Sequence, residues 1–159
     1  MVWQWIRLDE TSDEERVVRQ FNEYGCGAAC AAMLLADRGI STGQLVVAAG
    51  LHLPCTAREL ADRLNELSEG THLWLGGHLD LESPLGRRHL VTLGGAGSWA
   101  ALLIPEGIRD GHWVVVDRIL DDDTAAIRDP VGSKYRMPLA ELGRLLRYMV
   151  VVFETGEHR

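Results

Sequence analysis

The chain has 159 residues, 47% of them apolar and 25% charged, with a formal net charge of −7. These values fit one soluble globular domain over residues 1–159, large enough for a real core. The acidic balance and the absence of a basic stripe speak against a nucleic-acid partner. No apolar stretch reaches the roughly 20 residues that span a bilayer, so no membrane insertion is expected. The first ten residues turn acidic at once and lack the basic start and apolar run of a secretory signal. The expectation is a protein that is cytoplasmic where it is synthesised, with secretion independent of a signal peptide left open.

The cysteines are Cys26, Cys30 and Cys55. An odd count in a reducing compartment makes a disulfide framework an unsuitable reading.

Along the chain, Ser12 and Glu15 have the spacing of a capping box for a short first helix. From Gly25 a run of small and apolar helix formers extends to Asp37, and Gly39 is placed to stop it. A helix apolar nearly all round should be central and buried. Ser41 and Gln44 look like a second cap, opening a helix to about Ala49. Thr56 and Glu59 repeat the signal before Leu60, Leu64 and Leu67, which share one helical face. Thr71–Leu75 reads as a strand. Residues 76–97 read as loop with a short strand at Leu90–Leu93. Strands are then expected over Ser98–Ile104, Gly111–Leu120 and Thr124–Asp129, with Asp121, Asp122 and Asp123 as the turn between the last two. Pro138 can open a helix with an apolar face of Leu139, Leu142, Leu145 and Leu146, and Tyr148–Glu154 returns as a strand. Helices first and an antiparallel sheet after them make an α+β arrangement.

The segment Gln20-Phe21-Asn22-Glu23-Tyr24-Gly25-Cys26-Gly27 carries the chemistry. A free thiol titrates near 8.5. At a helix N-terminus it gains from the macrodipole and from unpaired N–H groups, which favour the thiolate. Gly25 and Gly27 let the backbone turn and approach a substrate. His112 opens one predicted strand and Asp129 closes the next. In a hairpin those two positions lie about one strand spacing, roughly 5 Å, apart. An imidazole there can take the thiol proton, and a carboxylate can hold its tautomer. Asp117 lies five residues along the same strand on the opposite face, which makes it the weaker partner for His112. Gln20 could donate to an oxyanion beside the Cys26 N–H. Cys30 reads as a buried small hydrophobe, Cys55 as an incidental loop residue, and the tryptophans as core. The spacing of Cys26, Cys30 and His112 does not suit a structural zinc site, and no cofactor is implied.

The stretch from Gln20 through Cys26 to Leu35, with Pro105 to Val116 and Ile127-Arg128-Asp129-Pro130, resembles the bacteriocin-processing peptidases. These are papain-like cysteine peptidases that cut leader peptides after a double glycine. The resemblance runs from about residue 18 to the end. It implies a papain-like fold, helices packed on a C-terminal antiparallel sheet. It also implies Cys26 as nucleophile, His112 as base, Asp129 as its orienting residue and Gln20 in the oxyanion hole. Two departures stand out. The family's transporter parts do not follow, so a standalone form is expected, and Gly25 replaces the acidic residue that often precedes the cysteine. The expected function is a cysteine hydrolase, a peptidase acting on a peptide or protein substrate, with room for a further partner protein. The alternatives are a glutamine deamidase of the bacterial effector type and a catalytically silent module that binds a leader peptide.

Overall fold

Cys26–Asp37 forms helix α1. Its ten residues from Cys26 to Leu35 are all buried, as an alanine-rich segment without a polar stripe requires. Arg38 caps its end, and Gly39 follows at φ +79. The computed structural model describes residues 6–7, 17–86, 88–89, 97–105 and 110–153. The cap expected at Ser12 and Glu15 and the strand expected at Leu90–Leu93 lie outside these residues.

Helix α2 spans Gln44–Ala49. Its N-cap is Gly43 without a side-chain cap, not Ser41, because the Gln44 amide is engaged elsewhere. Helix α3 spans Ala57–Ser68 behind a complete capping box. Thr56 Oγ1 accepts from the Glu59 N–H, and the Glu59 carboxylate accepts from the Thr56 N–H. Leu60 and Leu64 are fully buried. Helix α4 spans Leu139–Leu145.

The strands are β1 (Ile6–Arg7), β2 (Leu73–His78), β3 (Trp99–Leu103), β4 (His112–Ile119), β5 (Thr124–Asp129), β6 (Ser133–Pro138) and β7 (Leu146–Phe153). They form one sheet in the order β1-β6-β5-β4-β3-β7-β2. Every neighbouring pair is antiparallel. The sheet is not wholly C-terminal, since both of its edges come from the first half of the chain. Residues 76–78 belong to β2 rather than to a loop. Leu146 opens β7 rather than completing the apolar face of α4.

The sequence reading passed over β6. Its Lys134 and Arg136 hide the alternation, yet Tyr135 and Met137 are both buried. The turn before it reads Asp129-Pro130-Val131-Gly132. It is closed by the Gly132 N–H on the Asp129 carbonyl at 2.9 Å, with Gly132 at φ +108. That pattern of proline and glycine is a turn signal.

α1 and α3 cover one face of the sheet, over Trp74, Ala100, Leu102, Trp113, Val115 and Val150. α4 closes the other face over Trp99, Val114, Val116, Ile127 and Met137. Trp74, Trp99 and Trp113 are core, as expected. The N-terminus of α1 thus meets the start of β4 at one end of the sheet.

Candidate active site

Cys26 is the first residue of α1, with Gly25 as N-cap and no capping side chain. The N–H groups of the first turn therefore face the thiol end of the helix unoccupied by a cap. His112 is the first residue of β4 and Asp129 the last of β5. The register pairs Val115 with Arg128. His112 lies beyond that pairing, and its ring reaches Asp129 diagonally.

His112 Nε2 is 2.7 Å from Asp129 Oδ1. The ring also lies close enough to the Cys26 thiol to lower it, and with Nε2 engaged by Asp129, Nδ1 is the nitrogen left to face it. Burial pushes the Cys26 thiol up. The His112 ring and the N–H groups of Trp113 and Gly27 outweigh that, and the thiol sits below its ordinary value. Burial pushes the His112 imidazolium down, but its bonds to Asp129 and Cys26 raise it to about 9. Both shifts favour a thiolate–imidazolium pair.

Asp129 is 4% exposed and fully engaged. Oδ1 also accepts from the Val131 N–H at 3.0 Å, and Oδ2 accepts from the Tyr135 hydroxyl at 2.7 Å. Burial raises this carboxyl, while His112, Val131 and Tyr135 together hold it below the usual range. Tyr135 was invisible to sequence reasoning because β6 was. The turn at Pro130 and Gly132, five and three residues before a buried aromatic, was the available signal.

Gln20 lies beside this chain of contacts rather than in it. Its N–H donates to the Pro130 carbonyl at 2.7 Å, which fixes it next to Asp129. Its Nε2 donates to the Asn22 carbonyl at 2.7 Å. Its Oε1 is buried without a hydrogen-bond partner among the described residues.

The two flanking glycines are explained by packing. A Cβ on Gly25 would lie 2.8 Å from Phe21 Cε1, and one on Gly27 would lie 2.6 Å from Cys55 Sγ. Gly25 has φ −86, open to any residue. The Phe21 ring therefore occupies the space that an acidic side chain before the cysteine would need. Cys55 is not an incidental loop residue: it is 6% exposed and packs against α1. Its thiol is pushed up by burial to about 12. Cys30 is fully buried, and burial raises its thiol as well. Asp117 is taken up by Arg128, with Nε at 2.9 Å from Oδ1. Among the described residues no three His, Cys, Asp or Glu side chains form a metal cluster, and no helix is long and apolar enough to cross a membrane.

A groove of about 430 Å³ adjoins the site, lined by Pro54, Cys55, Arg58, Leu102, Asp110 and Tyr148 among others. A larger hollow of about 750 Å³, by Leu81, Leu139 and Gly143, lies on the α4 face. Cys55, which packs against Gly27 beside Cys26, ties the smaller one to the site.

No protein-family model matches the chain. Over 134 residues, 84% of the chain, it is 37% identical to Cysteine protease effector 1 of Escherichia coli O1:K1:H7. That match spans a quarter of the relative's length. Among solved structures, the peptidase domain of Streptococcus ComA, a bifunctional ABC transporter of a quorum-sensing pathway, superposes with a TM-score of 0.68. The identity is 16%, over 87% of this chain and 97% of that one. A double glycine motif protease from an AMS/PCAT transporter, solved with its leader peptide, gives 0.64 at 15% identity over 96% and 98%. A C39-like peptidase from Bacillus anthracis gives 0.60 at 14% identity over 95% and 98%.

Proposed function

Starting from a chain with the papain-like fold of the double-glycine peptidases, we propose that it is a cysteine peptidase whose reaction runs through Cys26, His112 and Asp129. The observation that carries the reading is the 2.7 Å pairing of His112 with Asp129, with the same ring close enough to the Cys26 thiol to lower it. A pairing of that kind, with the base oriented by a third group, is the signature of an activated nucleophile.

In this reading the Cys26 thiolate attacks the carbonyl carbon of a peptide or protein substrate. The carbonyl π electrons move to oxygen, and the oxyanion is met by the Cys26 N–H and by Gln20 Nε2. Gln20 Nε2 carries two hydrogens. One is held by the Asn22 carbonyl, which fixes the amide plane and leaves the second for the oxyanion. The His112 imidazolium then gives its proton to the departing nitrogen as the C–N bond breaks. Water, deprotonated by His112, hydrolyses the thioester and restores the thiol. Asp129 keeps the ring in place and balances the imidazolium charge.

The name of the E. coli relative, a cysteine protease effector, favours peptide cleavage over side-chain deamidation, which would use the same groups. Incubation with candidate proteins followed by intact-mass analysis tests this. Cleavage gives fragments. An increase of about one mass unit without fragments would mean a deamidase, and no change with any substrate would favour a silent binding module. Gln20→Ala should lower kcat by about 10²–10³ with little change in KM, and full kcat in that variant would remove Gln20 from the mechanism.

A further inference from the structure

We infer that Gln44 is a positioning residue that sets Gln20 for its part in the reaction, an inference that rests on the oxyanion role proposed above. Gln44 is the first residue of α2, yet it does nothing for its own helix. Its amide reaches across more than twenty residues instead. Nε2 donates to the Arg19 carbonyl at 2.6 Å, and Oε1 accepts from the Phe21 N–H at 3.2 Å.

Those two groups belong to the peptide units on either side of the Gln20 Cα. Holding both planes fixes the φ and ψ of Gln20, as a strand partner would. The Gln20 N–H on the Pro130 carbonyl, at 2.7 Å, is the third anchor. It refers the same peptide unit to the residue after Asp129. The rest of the segment only closes on itself: the Tyr24 N–H binds Asn22 Oδ1 at 2.9 Å, and the Gly25 N–H binds the Asn22 carbonyl at 3.2 Å. Phe21 and Tyr24 are 42% and 49% exposed. Their side chains give the segment little packing, so hydrogen bonds from outside must define where the Gln20 amide sits. Gln44 supplies two of the three described here. Misplacing a reacting group by about 1 Å is enough to cost on the order of 10²-fold in rate.

The test is a double-mutant cycle on the full chain, read with p-nitrophenyl acetate, an ester that needs no specificity pocket. Only the part of the rate lost in Cys26→Ala is counted. Gln44→Ala should lower kcat by about 10–10²-fold with KM nearly constant. The Gln20→Ala/Gln44→Ala double variant should be no slower than Gln20→Ala alone, because Gln44 acts through Gln20. Gln44→Met, which keeps the shape without the amide, should match Gln44→Ala and guards against a folding artefact. Amide exchange should quicken at Phe21 in both Gln44 variants and stay unchanged along α1. A double variant whose loss is the product of the two single losses would overturn the inference while leaving Gln20 in the mechanism, and so would a Gln44→Ala protein with full kcat. Unchanged exchange at Phe21 would overturn it independently of any rate. Full kcat in Gln20→Ala would instead remove the oxyanion role, and the inference with it.

Discussion

Tyr135 donates its hydroxyl to Asp129 Oδ2 at 2.7 Å, the oxygen that His112 does not use. The carboxylate is therefore held from two sides, by the ring on Oδ1 and by the phenol on Oδ2. A buried carboxylate needs such donors, because desolvation otherwise favours its neutral form.

Removing that phenol leaves the ring of Tyr135 in its packing and takes one donor from a buried charge. Tyr135→Phe should destabilise the protein by about 1.5–3 kcal/mol at pH 7, measured by urea unfolding. Its Cys26 should still react with iodoacetamide faster than Cys30 or Cys55. A variant as stable as the parent would mean that the phenol does not carry the carboxylate.

Thiol reactivity separates the three cysteines. Cys26 is held below its ordinary value, chiefly against burial, while burial raises Cys30 and Cys55. Because thiolate fraction governs the rate, iodoacetamide at pH 7 should modify Cys26 first, as peptide mapping would report. In His112→Ala the pH midpoint for Cys26 labelling should move upward. An unmoved midpoint would show that the ring does not hold the thiolate.

The pH profile follows from the same pair. The proposed reaction needs a thiolate and an imidazolium together. On the alkaline side His112 loses its proton near 9, and kcat/KM should fall there. On the acid side the thiolate takes up a proton below the ordinary thiol value, which gives the second limb. Stability has its own sign. The folded state raises His112 above its ordinary 6.5, so it binds that proton more tightly than the unfolded chain does. The stabilisation is complete below 6.5 and is lost as pH rises through about 9. Cys26, lowered in the fold, contributes with the opposite sign over the same range, so the drop in Tm between about pH 6.5 and 9.5 should be clear in Cys26→Ala and small in the parent.

The sequence revealed the elements whose burial is one-sided or complete. The capping box at Thr56, the apolar run of α1 and the β-branched strand β4 all announce themselves through local chemistry. So did the nearness of His112 and Asp129, because a two-strand hairpin with a turn at Asp121–Asp123 brings its open ends together. What stayed hidden depends on pairing across long separations. Lys134 is 5% exposed and Arg128 1%, so charged residues on β5 and β6 point into the interior, and no alternation rule anticipates that. The Gln44 amide looked like part of a helix cap because its span to Arg19 is a tertiary contact. Gly27 looked like a turn residue because its neighbour Cys55 is distant in the chain.

That contact gives a prediction of its own. A Cβ on Gly27 would lie 2.6 Å from Cys55 Sγ and 3.2 Å from Trp113 Cδ1. Gly27→Ala should therefore destabilise the protein by about 1–3 kcal/mol through overpacking, although alanine is the better helix former. In a Cys55→Ala background the sulfur is gone, and most of that loss should disappear. Equal losses in both backgrounds would place the clash on Trp113 instead.

Arg128 ties the far end of α1 to the sheet and so sets where the near end lies. Its guanidinium meets Asp37, the last residue of α1, through Nη1 at 3.2 Å from Oδ1 and through Nη2 on Oδ2. It also meets Asp117 on β4 through Nε at 2.9 Å. Ser98 Oγ adds a bond to Asp37 Oδ2 at 2.6 Å. Arg128 immediately precedes Asp129, while Cys26 begins the helix that Asp37 ends. The cluster thus fixes α1 against β5 along its axis. Arg128→Met keeps much of the volume but removes the cation that pairs the nearly buried Asp117 carboxylate with the more exposed Asp37, which should cost about 3 kcal/mol. The loss should shrink as pH falls through the carboxylate range, since protonation then removes the unbalanced charge. Adding Asp37→Leu and Asp117→Leu should recover most of the stability at pH 7, because an apolar replacement of a whole buried ionic cluster is often neutral or better. Urea unfolding at pH 7 and pH 4 decides between these outcomes. If the triple variant is as stable as the parent but its Cys26 reacts more slowly with iodoacetamide, the cluster serves to place the thiol rather than to hold the fold. If it reacts at the parent rate, apolar packing alone sets the position of α1.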